Sequence, residues 1–77
     1  MIESISPIRH SVSVTPHDSN DITPCRALLV GVSGNVKVTY TDGTVDTIYL
    51  EAGMWHAMLV IRVWSTSTTA TGIHAGY

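Results

Sequence analysis

The chain has 77 residues, with four Lys and Arg, six Asp and Glu and a formal net charge of −2. Charged residues make up 13% of it, where an ordinary soluble domain carries about 25%. That length allows one domain, and the scattered cations Arg9, Arg26, Lys37 and Arg62 exclude the basic patch on which nucleic-acid affinity depends.

Residues 1–26 are rich in Ser, Thr, Asp and His and contain all three prolines, Pro7, Pro16 and Pro24. Proline removes a backbone donor and disfavours helix at the residue before it, so this stretch predicts an extended N-terminal arm. The arm is expected to pack on or between subunits, ahead of a β domain over residues 27–77. Within it, Val12 and Val14 alternate with Ser11 and Ser13 and predict a short edge strand over residues 8–14. Residues 17–21 read as a polar loop.

Strands and turns then follow closely. Arg26-Ala-Leu-Leu-Val-Gly31 is apolar on both faces, as a strand covered on both sides should be. Ser33-Gly34-Asn35 turns into the most strongly signalled unit, Asn35-Val-Lys-Val-Thr-Tyr40, Thr-Asp-Gly-Thr, Val45-Asp-Thr-Ile-Tyr-Leu50. Asp42-Gly43 between alternating runs predicts a hairpin, because Gly accepts the positive φ such turns need. After a turn at Ala52-Gly53, residues 55–64 predict a long strand. Strict alternation places Leu59, Ile61 and Val63 on one face and Met58, Val60 and Trp64 on the other. The second face is too apolar for solvent and predicts a contact surface. A last strand is expected over residues 70–77.

No segment has an apolar period of 3.6, and ten threonines with many valines favour strands over helices. The predicted fold is all-β, a small antiparallel β-sandwich or barrel with an extended N-terminal arm. A domain this short buries only about 60% of its unfolded surface, and small domains compensate with disulfides, metals or oligomerisation. Cys25 is the one cysteine, so an internal disulfide is impossible. The residue pattern therefore predicts oligomerisation. No secretory signal is visible, and the longest apolar run, residues 57–61, is far too short to span a bilayer. Synthesis in the cytoplasm is expected, with no membrane partner.

Catalytic and metal chemistry find little support in the sequence. His10, His17, His56 and His74 match no ligand spacing. Cys25 follows Pro24 with no base specified to activate it and reads as an inert thiol. Asp42 and Asp46 have sufficient explanations in the turn and an exposed strand. Neither Ser33-Gly34 nor Asp42-Gly43 forms a phosphate-binding loop. The expectation is no catalytic residue, no metal and no cofactor. Trp55 and Trp64 support an alternative, a small carbohydrate- or receptor-binding β module with an aromatic platform, although strand aromatics more often serve core or subunit contact.

Several short motifs in a fixed order carry a family resemblance. They are Ser6-Pro-Ile-Arg-His10, Thr23-Pro24, residues 26–31, Gly34-Asn-Val-Lys-Val-Thr39, Asp42-Gly43, Gly53, Ile61-Arg-Val63 and Thr68-Thr-Ala-Thr-Gly-Ile73. Together they resemble the small head spike-base proteins of tailed bacteriophages and gene transfer agents, and similar capsid decoration or cement proteins. The resemblance implies a non-enzymatic virion protein on the outer capsid surface. Such a protein would bind the major capsid protein, assemble with itself as a trimer or pentamer, and offer a site for a spike fibre. Trp55-His56-Ala57-Met58 departs from the family pattern and reads as a contact with a partner particular to this chain. The candidate interface residues are Ile8, Val12, Val14, Trp55, His56, Met58, Val60 and Trp64.

Overall fold

Strands form where Val, Ile and Thr cluster between turn residues, since branched side chains pack well on a pleated surface. The computed structural model describes residues 8–77; the first seven, including Ser6 and Pro7 of the arm, lie outside the described residues. Among the described residues there are six strands: β1 (Ser11–Ser13), β2 (Cys25–Leu29), β3 (Gly34–Tyr40), β4 (Val45–Leu50), β5 (His56–Val63) and β6 (His74–Gly76). Among the described residues no helix is long and apolar enough to cross a membrane.

All six strands belong to one antiparallel sheet in the order β1-β6-β2-β5-β3-β4. The all-β expectation therefore takes the form of one curled sheet instead of two packed layers. Val30, just after β2, bridges Ala52, just after β4, although β5 and β3 separate those strands in the sheet. The Gly53 N–H closes this seam by donating to the Val30 carbonyl at 3.0 Å.

The β3–β4 hairpin forms where the sequence signals it. The Gly43 N–H donates to the Tyr40 carbonyl at 2.9 Å, and the Tyr40 N–H to the Thr44 carbonyl at 2.8 Å. Gly43 has a φ of 91°, so this is a type I turn followed by a left-handed glycine. Asp42 fixes the turn by accepting from the Thr44 hydroxyl (2.7 Å) and N–H (3.0 Å). Those bonds hold its carboxyl below the usual 3.8.

β5 lies at the centre, with Val60 opposite both Cys25 of β2 and Tyr40 of β3. From Ala57 to Val60 it advances one residue more than β2 does from Ala27 to Cys25. From Val60 to Arg62 it again gains one residue, now on β3. Such bulges bend a strand and increase its twist, which curls the sheet toward its seam. They also shift the side-chain phase, and this corrects the alternation expected from sequence. Val60 and Val63 are both buried, at 0% and 1% exposure, while Leu59 is 59% exposed. Met58 packs against the core. Met58 and Val60 thus face inward and form no outer surface with Trp64.

The core contains Leu28, Val30, Val36, Val38, Leu50, Val60, Val63 and Ile73, and no buried polar side chain is found among the described residues. The last strand is shorter than residues 70–77, because Ala70 and Ile73 turn into the core and Thr71 bridges Val32. Residues 8–24 run along the same sheet. β1 pairs with β6, and the N–H groups of Ile22 and His17 donate to the Ile61 and Val63 carbonyls at 2.8 and 2.9 Å. Asp18 fastens this segment by accepting from the Ser65 and Thr66 N–H groups (2.9 and 2.8 Å) and the Thr66 hydroxyl. Arg62 adds a bond to Asp21 at 2.7 Å.

Two outcomes are expected from this packing. Val60→Ala should lower stability by about 2 kcal/mol through the cavity it leaves, whereas Leu59→Ala should stay within about 0.5 kcal/mol. Urea unfolding of both variants decides between the bulged strand and an unbroken alternation. The Thr66 hydroxyl first, then its N–H, hold the Asp18 carboxyl below 3.8. A depressed folded value stabilises above the unfolded one and is lost as pH falls through the folded one. Asp18→Asn should therefore weaken the fold near neutral pH and flatten the loss of stability on acidification below 3.8, as read from urea midpoints across that range.

Candidate functional site

The outer face of β6, β2 and β5 is overlaid by side chains from neighbouring segments. Ile8 arrives from ahead of β1, Trp55 from ahead of β5 and Tyr77 from just after β6. Gly76 makes their approach possible: a Cβ there would lie 2.8 Å from Ile8 Cδ1 and 3.1 Å from Trp55 Cζ3. Tyr77 is held by its backbone, which accepts from the Arg9 N–H at 2.6 Å and donates to the His10 carbonyl at 2.9 Å. Its ring stacks on His10 with centroids 5.1 Å apart, and its hydroxyl donates to the Thr23 carbonyl at 2.9 Å. Burial, with a further contribution from Cys25, pushes that hydroxyl up.

The result is a groove of about 620 Å³, walled by Ile8, Trp55, Leu59 and Tyr77, with Cys25 and Ala27 at its base and Pro24 and Arg26 along it. Ala27 is buried there without belonging to the main core. Among the described residues the groove contains no assembled chemistry. Burial pushes the Cys25 thiol up, which disfavours the thiolate a nucleophile requires. Among the described residues no three His, Cys, Asp or Glu side chains are grouped to hold a metal. His17 Nδ1 lies 3.1 Å from the Ser19 N–H, and His56 Nε2 lies 3.0 Å from the Glu51 carbonyl.

The structure separates the interface residues expected from sequence. Ile8 and Trp55 meet in the groove, with Trp55 38% exposed. Val12 is exposed on β1, while Val14 packs against the core. His56 is half-buried near the seam. Trp64 is bonded through its indole N–H to Thr39 Oγ1 at 2.9 Å, with Lys37 Nζ 4.4 Å and Arg62 Cζ 5.3 Å from its ring centroid. Leu59 and Tyr77 were not singled out as interface residues. The β5 bulges give Leu59 its outward direction, and no sequence pattern marks them. Tyr77 showed only as an aromatic near the end of a strand.

Charge is unevenly distributed around this site. Lys37 and Arg62 are committed to Trp64, and Arg62 also to Asp21. Among the described residues Arg9 and Arg26 have no salt-bridge partner, and Arg26 lies along the groove. Residues 41–55 carry Asp42, Asp46 and Glu51 and neither Lys nor Arg.

No protein-family model and no curated protein matches the chain. Among solved structures it is similar to a chain in the capsid of a native gene transfer agent (GTA) particle computed with C5 symmetry. The two share 32% sequence identity with a TM-score of 0.84, over 94% of this chain and 86% of that one.

The groove itself can be tested through its base. Gly76→Val should push Ile8 and Trp55 off the sheet and increase the quenching of Trp55 by acrylamide in a Trp64→Phe background. Unchanged quenching would mean that Trp55 does not rest on Gly76.

Proposed function

This chain belongs to the same family as that gene transfer agent capsid chain, and on that premise we propose that it is a non-enzymatic structural protein on the outer surface of a phage-type capsid. It acts as a homo-oligomer that binds the major capsid protein, in the manner of a decoration protein or head-spike base, and presents a site for a fibre. The observation that carries this reading is the agreement in fold and sequence over 94% of this chain and 86% of the capsid chain. The agreement extends over most of both chains and is not confined to a short segment.

The surface chemistry supports the same reading. The groove is apolar, lacks an activated nucleophile and offers area instead of reactive groups, which suits subunit contact. Ile8 and Val12, on the segment ahead of β2, are the arm residues available for contact with a neighbour. The carbohydrate-platform alternative loses one of its two tryptophans, because cations lie over the Trp64 ring.

The test uses capsids assembled without this protein. Purified protein should co-sediment with them to saturation, and electron microscopy should show added density around the fivefold vertices. Protein that remains in the supernatant would sink the proposal, and density at other capsid sites would replace the vertex assignment with a cement role.

A further inference from the structure

We infer that the groove receives β4 of a second copy of this chain, in a head-to-tail contact repeated around a ring. The inference rests on the homo-oligomeric reading above and names the two surfaces that reading requires.

Charge complementarity is the first support. Arg26 lies along the groove and Arg9 next to it in the chain segment that pairs with Tyr77. No Asp or Glu is among the residues that line the groove, nor in residues 8–10 and 76–77 beside it. β4 and its flanking turns carry Asp42, Asp46 and Glu51 without a cation. Opposite signs across a contact favour association and fix its register. Two grooves facing each other would instead bring four arginines together.

β4 is also an open edge. No strand lies beyond it among the described residues. Tyr40 and Thr44 are hydrogen-bonded across the hairpin, so the alternation of an antiparallel ladder directs the backbone groups of Val45, Thr47 and Tyr49 outward. Asp46 Oδ1 occupies the Thr47 N–H at 2.9 Å, leaving the groups of Val45 and Tyr49 open. The side chains of these two residues are 48% and 60% exposed, unusually open for a valine and an aromatic in a strand. β6, β2 and β5 are each paired along both edges, so the contact is made by the exposed side chains of this edge and not by a backbone ladder. Tyr49 is a large aromatic suited to a groove walled by Trp55, Leu59 and Tyr77.

Symmetry agrees with this pairing. A contact between two different surfaces is heterologous and builds a cyclic ring where its rotation closes, whereas a self-complementary contact stops at a dimer.

Light scattering on the full chain and two variants tests the contact. Tyr49→Asp damages the strand surface and Leu59→Asp the groove, both at exposed positions that leave the core intact. The wild-type protein should be a closed oligomer and each variant alone a monomer. An equimolar mixture should give a complex of two chains, because only one intact strand and one intact groove remain to meet. Formation of that complex also shows that both variants are folded. A variant that keeps the wild-type mass, or a mixture that stays monomeric, would overturn the contact while the oligomer stands. A wild-type protein that is monomeric at every concentration would overturn the homo-oligomeric reading with it.

Discussion

β5 is hydrogen-bonded along both edges, to β2 and the incoming N-terminal segment on one side and to β3 on the other. It carries one residue more than each partner strand where they pair. That mismatch cannot be spread evenly along a pleated strand, so it appears as local bends that add twist. The seam between Val30 and Ala52 follows from the bending. So does the concave inner face filled by valines. The same shift turns Leu59 outward, so one backbone irregularity shapes both the core and the groove on the opposite face.

The sequence made the local units readable. Asp42-Gly43 gave the hairpin, and Val36 and Val38 alternated cleanly with Asn35, Lys37 and Thr39. The buried run around Leu28 became a central strand because a segment apolar on both faces has few other places to go. The bulges were not readable, because an extra residue is specified by pairing with two distant strands and leaves no period in its own segment. Val60 was consequently expected at a surface and lies in the core, while Leu59 was expected in the core and lies in the groove. The groove was only half legible. Ile8 was a candidate on the arm and Trp55 one in the stretch that departs from the family pattern, but their meeting over Gly76 depends on contacts across nearly the whole chain.

The few charged groups are mostly used in local structure. Asp18, Asp42 and Asp46 accept from backbone N–H groups of the loops, turn and edge that surround them. Lys37 and Arg62 lie over the Trp64 ring. A low overall charge therefore does not mean a uniformly neutral surface. Few charges remain to cover the rest, among them Arg26 along the groove and Arg9 beside Tyr77. The scarcity of charge leaves apolar area exposed, while the placement of what remains gives that area a direction.

The pairing order has a kinetic consequence. β1, the first described strand, bonds only to β6, and β6 is the strand that separates it from β2. Loop-closure entropy over most of the chain for β1–β6, and over more than half of it for β2–β6, must be overcome before these pairings form, which places this fold among slow, non-local topologies. During synthesis the β3–β4 hairpin can form early, but its apolar face has no cover until β5 has emerged, and β1 has no partner until residues 74–76 leave the ribosome. A nascent chain therefore exposes strand edges for most of its elongation. At high concentration, the rate at which chains close relative to the rate at which they meet one another sets the yield of folded protein.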